Sequence, residues 1–233
     1  MILRNLDQLT TNPSAFVLST SLFLLGIILA ITVHEFSHAL VATNLGDDTA
    51  KRMGRLSLNP LVHLDLAGSL MIMLAGFGWG KPVPVNPLRL GRNTFRDMAL
   101  VASAGPISNI LTAAIASIPF KIGMLPWPTT LNPQFLDFPL GFVSAFLFIA
   151  ISLNLLLAVF NLIPLAPLDG SKVLPGILPK NLAQSYQRLT PWGPGILMTI
   201  ILFDIFLDVG ILSKIIGPIV NLLSNLMVGM PIL

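Results

Sequence analysis

Long apolar runs alternate along the chain with short polar clusters, and the runs are of membrane length. About 20 consecutive apolar residues cross a bilayer core. Residues 15–33 carry no charge, nor do 98–120 between Asp97 and Lys121, nor 138–168. In the third run Pro164 and Pro167 mark where a helix must stop. Three core transmembrane helices are therefore expected, at about 15–43, 98–120 and 139–163. Residues 66–80 are apolar but only 15 long, Gly-rich toward their end and followed by Lys81-Pro82-Val83-Pro84-Val85. That suits a short re-entrant or surface segment near 64–80 rather than a span. After Pro194 the chain is apolar again, but Asp204, Asp208 and Lys214 interrupt it, so one or two C-terminal membrane helices are expected. The predicted fold class is an all-α polytopic membrane bundle.

Composition points the same way. Charged residues make up 10% of the 233, against about 25% in soluble chains. The hydrophobic share is 54% and the mean hydropathy is +0.84. A disulfide scaffold is excluded because there is no Cys, and disorder is excluded by the apolar content. The net charge of +3 is too small and too dispersed for a nucleic-acid footprint, so no nucleic-acid partner is expected. Lys and Arg collect instead at 51–55, 81–96 and 172–188, while 121–138 holds only Lys121, balanced by Asp137. Positive-inside reasoning puts the three basic stretches in the cytoplasm and 121–138 outside. For the first two to share a side, 66–80 must dip rather than cross. The first apolar run is too long for a signal-peptide core and lacks a small-residue cleavage site.

At the end of the first run stands His34-Glu35-Phe36-Ser37-His38. Residues i and i+4 lie one above the other on a helix, so both imidazoles can reach one ion, with a carboxylate beside them to take a proton. Glu35 is the sole Glu of the chain and there are three His. Chance placement of this pattern is on the order of one in ten thousand, so it is not an accident of composition. A carboxylate inside a membrane helix costs about 2.5–3.5 kcal/mol even on the gentler scale, and a divalent cation would offset that.

A catalytic zinc takes three protein ligands, and the third must come from elsewhere. Candidates are His63 and the nine Asp. Asp169 stands out, because Pro164 and Pro167 bend the chain before it and Gly170 follows. Topology supports it: the first helix delivers His34 and His38, the second Asn109 and the third Asn161 and Asp169, all at one membrane depth. Asp204 and Asp208, one helical turn apart, could form a second ion site or simply close a span. Water must reach such a centre, so a polar cavity around Asn109, Asn154 and Asn161 is expected. Residues 55–59 alternate like a strand, and Leu56 and Leu58 are expected to offer a backbone edge to an unwound substrate.

These elements, in this order, resemble the site-2 protease family of intramembrane zinc metalloproteases. His34 to His38 matches its His-Glu-x-x-His helix, Gly105-Pro106-Ile107-Ser108-Asn109 its Gly-Pro-x-x-Asn element, and Asn161, Pro164 and Leu168-Asp169-Gly170 its third motif. The stretches Arg55-Leu56-Ser57-Leu58-Asn59-Pro60 and residues 78–86 look like the compact prokaryotic branch, without PDZ or CBS domains. The resemblance implies one Zn²⁺ per chain on His34, His38 and Asp169, with Glu35 as general base. Asn161 would act beside it as a catalytic residue and Asn109 as a substrate contact, each helping to position substrate or to stabilise the site. It further implies one transmembrane protease domain over 1–233, with a catalytic core at about 15–175 and a C-terminal membrane segment at about 190–233. The substrate would be a transmembrane protein or peptide, hydrolysed in or near its membrane segment. An upstream protease or adaptor would be a further partner. The chain would sit in the cell membrane as a multi-pass protein, active site toward the cytoplasm. The competing readings are a metal-ion or proton transporter and an inactive scaffold of the same fold.

Overall fold

The computed structural model describes residues 6–75, 78–91, 94–128, 140–207 and 209–232. Most of the expected outer loop, with Asp137, lies outside that set, as do Arg92 and Asp208.

A short helix α1 (Leu6–Thr11) precedes α2 (Pro13–Asn44). Asn12 caps α2 by accepting from the Ala15 amide at 3.2 Å, and Pro13 opens it, where its missing N–H costs nothing. At 1.5 Å per residue the uncharged stretch 15–33 covers about 28 Å, close to the ~30 Å hydrocarbon core. His34 and His38 follow directly on that uncharged stretch. Beyond it come the single turn α3 (Thr49–Arg52), a 3₁₀ turn (Pro60–Val62) and α4 (Leu66–Ala75). With 10 residues α4 reaches only about 15 Å, half the core thickness, as expected for a segment that does not cross.

Helix α5 (Thr94–Lys121) and helix α6 (Gly141–Asn161) complete the central trio. After α6 come α7 (Gly170–Ile177), α8 (Lys180–Gln187), α9 (Gly193–Leu207) and α10 (Ile211–Val228). Among the described residues, five stretches are long and apolar enough to cross a membrane: α2, α5, α6, residues Lys180–Leu207 and α10. The C-terminal region therefore holds two of them. Asp204 reads in sequence as an ion ligand or as a charge that closes a span, and it stands at the end of α9. Its carboxylate accepts the amides of Ile211 and Leu212 at 2.7 and 2.8 Å, closing the turn between α9 and α10.

The core lies where α2, α5 and α6 meet and where α10 leans on α5 and α6. Ala113 and Phe120 of α5, Ile151, Leu155 and Val159 of α6, and Ile216 and Val220 of α10 form one buried cluster. Leu22 of α2 packs with Ala145, Ile149 and Leu153 of α6. Gly26 lets these two helices close up, since a Cβ there would stand 3.1 Å from Leu153 Cδ1.

No strand forms among the described residues, and the alternation at 55–59 is not realised as an edge. Its polar groups are consumed locally. Arg55 turns inward, buried, and donates to Val62 O and, at 3.4 Å, to Lys81 O. His63 Nε2 donates to Ser57 O at 2.7 Å. Leu58 is exposed and Leu56 half-buried, on irregular backbone. What extended pairing exists is an isolated antiparallel bridge between Leu64 and Gly80, beside Lys81 N donating to His63 O at 2.7 Å. That pairing ties a strap at 78–85 to the loop before α4.

Candidate metal centre

Three helices and one turn deliver the site. On α2, the i,i+4 spacing stacks His34 and His38, with ring centroids 4.7 Å apart and planes at 84°. The turn after α6 delivers Asp169. Gly170 makes this possible, because a Cβ there would stand 2.3 Å from Leu162 O and 2.4 Å from Ile163 O. The chain thus folds back on itself more tightly than any side chain would permit. His34, His38 and Asp169 offer ligand atoms that all lie within 4.8 Å of one another, and all three residues are buried.

The tautomers follow from the partners. His34 Nδ1–H donates to Asn109 Oδ1 at 2.5 Å, and His38 Nδ1–H donates to Val101 O at 2.7 Å. Asp169 Oδ2 lies 3.0 Å from His34 Nε2 and 3.2 Å from His38 Nε2. With both imidazoles neutral and Nδ1 protonated, three lone pairs converge there, an arrangement that calls for a cation among them. The two His–Asp separations also lie close to the roughly 3.3 Å that separates N and O ligands at 2.0–2.1 Å on a tetrahedral zinc. The donor set fits a zinc ion.

Gly105 explains why α5 carries a glycine beside proline at this level. A Cβ on Gly105 would stand 2.5 Å from His34 Nε2 and 2.5 Å from His38 Nε2, so α5 covers the imidazoles only because that atom is absent. Pro106 follows it inside the helix and removes one backbone donor at the same level.

Glu35 is half-buried beside the trio, and its Oε2 accepts Val83 N–H at 3.1 Å from the strap. Both face a cavity of 730 Å³ that runs along α2 from Phe23 and Ile27 to His38. Leu153, Leu157 and Phe160 of α6 form the opposite wall, with Leu212 and Ile216 of α10 and Trp79 of the strap.

Other site expectations sort differently. Asn161 lines the cavity, with Nδ2 donating to Leu157 O at 3.0 Å. Asn109 does not: it is fully buried, bonded to His34 and outside the cavity lining. Asn154 is buried with it. The expected polar cavity is instead mainly apolar, with its polar groups gathered at the metal end. Leu56 and Leu58 do not line it, and His63 is buried in the loop before α4, outside the ligand group. Sequence reasoning did not reveal the Val83–Glu35 and Val101–His38 contacts, which join distant segments through backbone atoms and leave no trace in residue identity.

The chain matches the profile of peptidase family M50 over residues 138–201, which covers α6, Asp169 and most of α9. A protein of Bacillus subtilis (strain 168), named as a candidate zinc metalloprotease, YwhC, is 40% identical over 167 residues, covering 72% of this chain and 74% of its own length. Another, of Mycolicibacterium smegmatis (strain ATCC 700084 / mc(2)155), named as a candidate zinc metalloprotease, Rip2, is 32% identical over 110 residues, covering 46% and 42%. No solved structure matches the chain significantly. Helices of membrane length, a His34–His38–Asp169 group that could hold a metal, and these likenesses together define the class, a membrane metalloprotease. The chain belongs to peptidase family M50, the site-2 proteases.

Proposed function

We propose that this chain is an intramembrane zinc endopeptidase that hydrolyses a peptide bond in or near the membrane segment of a protein substrate. The observation that carries this is the convergence of His34, His38 and Asp169 with Glu35 at one end of an apolar cavity. His34, His38 and Asp169 would hold one zinc, which when bound supplies Lewis-acid activation of water and of the scissile carbonyl.

Glu35 serves as general base. Val83 N–H holds its Oε2, which leaves Oε1 to take a proton from the attacking water and return it to the departing amine. Asn161 has one amide hydrogen on Leu157 O and a second free to stabilise the developing oxyanion. The apolar walls fit a membrane segment better than a polar peptide. From Phe23 to Glu35 the cavity follows 12 helical rises, about 18 Å, the length of roughly five extended residues. A helical substrate keeps its carbonyls in hydrogen bonds, so the segment must unwind before it can be cut. Peptidase family membership removes the ground for the transporter reading, and the Glu35 carboxylate at the site argues against an inert scaffold.

The test is cleavage of a panel of single-span reporter proteins by the purified, detergent-solubilised chain and by Glu35→Gln, with zinc quantified in both. Cutting by wild type, with Glu35→Gln holding zinc but not cutting, is the expected result. Equal cutting by both removes Glu35 from the chemistry.

A further inference from the structure

Behind His34 lies a chain of buried amides that the proposed chemistry does not use. Asn109 of α5 and Asn154 of α6 are 0% and 1% exposed, deep in otherwise apolar helices. Burying two amides there is costly unless their hydrogen bonds are made. They are made, and in one direction. Asn154 Nδ2 donates to Ala150 O at 2.8 Å, one turn back on its own helix. Its Oδ1 then accepts from Asn109 Nδ2 at 2.7 Å, and Asn109 Nδ2 also donates to Ala30 O of α2 at 3.1 Å. Asn109 Oδ1 is left to accept from His34 Nδ1–H at 2.5 Å.

The direction matters because an amide can be turned over. With Asn109 reversed, its NH₂ would face His34 Nδ1 and favour the tautomer with hydrogen on Nε2. That hydrogen would point at Asp169 and block the nitrogen that must bind metal. The reversed amide would also set its oxygen against two acceptors, Ala30 O and Asn154 Oδ1. Ala30 O is acceptor-only, and Asn154 Oδ1 faces Asn109 because Asn154 Nδ2 is committed to Ala150 O. The order runs from a backbone carbonyl through two side chains to an imidazole. His38 needs no such relay, since Val101 O meets it directly.

We infer that Asn109 and Asn154 are positioning residues for the metal centre: Asn154 fixes the facing of the Asn109 amide, which in turn keeps His34 in its ligating tautomer. The inference rests on the zinc reading of the site. Outer partners of metal-bound His typically set affinity by 10- to 100-fold. Asn154 bonds to Asn109 and Ala150 and to none of the three ligands, so an effect on zinc there measures the relay rather than direct contact.

The experiment uses the purified full chain in detergent, with zinc affinity from chelator competition and thermal unfolding of the metal-free protein measured side by side. Asn109→Leu and Asn154→Leu should each weaken zinc about 10- to 100-fold. Asn154→Asp, whose neutral carboxyl donates to Ala150 O and accepts from Asn109 as the amide does, should restore affinity. A purely structural network would lower the melting temperature of the metal-free Leu variants and leave zinc affinity unchanged, which overturns the proposal. Independently of any variant folding, nitrogen NMR of histidine in metal-free wild type should show His34 protonated on Nδ1. The opposite tautomer overturns it too. A wild type that binds no zinc defeats the metal reading itself, and the NMR result then still decides the relay.

Discussion

Gly105→Ala puts the sharpest steric question to the metal centre. One added methyl carbon would stand 2.5 Å from the Nε2 of both imidazoles and 2.6 Å from His34 Cε1, where real Cβ atoms do not come within 3.0 Å. An ordinary contact is about 3.5 Å, so the rings or α5 must yield by roughly 1 Å. Zinc bonds tolerate about ±0.2 Å. Rotating the imidazoles away breaks their bonds to Asn109 Oδ1 and Val101 O. Moving α5 away carries those same acceptors with it. Overpacking of this kind costs about 1–3 kcal/mol of stability. The larger consequence falls on zinc, because both Nε2 atoms are displaced together. Zinc per chain after chelator challenge, read beside thermal unfolding with and without zinc, is the assay. Gly195→Ala is the control, since a Cβ there meets nothing within 4 Å and helical Gly→Ala substitutions are neutral or gain up to about 1 kcal/mol. Wild-type zinc affinity in Gly105→Ala would refute the close approach of α5 to the ligands.

Three further outcomes follow from contacts away from the ligands. Arg55→Leu removes the bonds to Val62 O and Lys81 O that tie the strap to the loop before α4. Because the strap holds Glu35 through Val83, turnover should fall about tenfold or more with zinc content unchanged; unchanged turnover in a folded variant would sever that link. Asp204→Ala frees the amides of Ile211 and Leu212, and loss of such a cap should cost about 0.5–2 kcal/mol in thermal unfolding while leaving zinc in place. The Asp47 carboxyl is held below its usual range: burial opposes the shift, but bonds from Thr49 and Asn86 N–H outweigh it. A depressed carboxylate stabilises above its unfolded value of about 3.9 and loses that contribution as pH falls through the folded value. Asp47→Asn should therefore be less stable than wild type at pH 7, with the gap closing below about pH 4; a gap independent of pH would show that ionisation plays no part.

The legible parts of the molecule were those encoded locally. Uncharged runs of bilayer length mark α2, α5 and α6, because a charge in lipid is too costly to place idly. His34 and His38 share a face by helical period alone, and Asp169 announces itself through the two prolines that end the preceding helix. Contacts between segments were not legible. Residues 55–59 alternate like a strand, yet a strand needs a partner row, and Arg55, Ser57 and Asn59 spend their polar groups on the adjacent turn instead. Asn109 sits in the right motif, but its identity does not say whether it meets substrate or steadies the site. Which way it faces depends on Asn154, 45 residues away. Asp204 read as a charge that closes a span, but its partners could not be named, because they are backbone amides, which every residue carries.

Metal analysis of the purified chain, with X-ray absorption at the zinc edge, tests the centre most directly. One zinc per chain, bound through two imidazole nitrogens and carboxylate oxygen at about 2.0–2.2 Å and lost in His34→Ala, His38→Ala and Asp169→Ala, is the expected result. No stoichiometric zinc in the wild type, or zinc retained undiminished when Asp169 is removed, would contradict the three-ligand site.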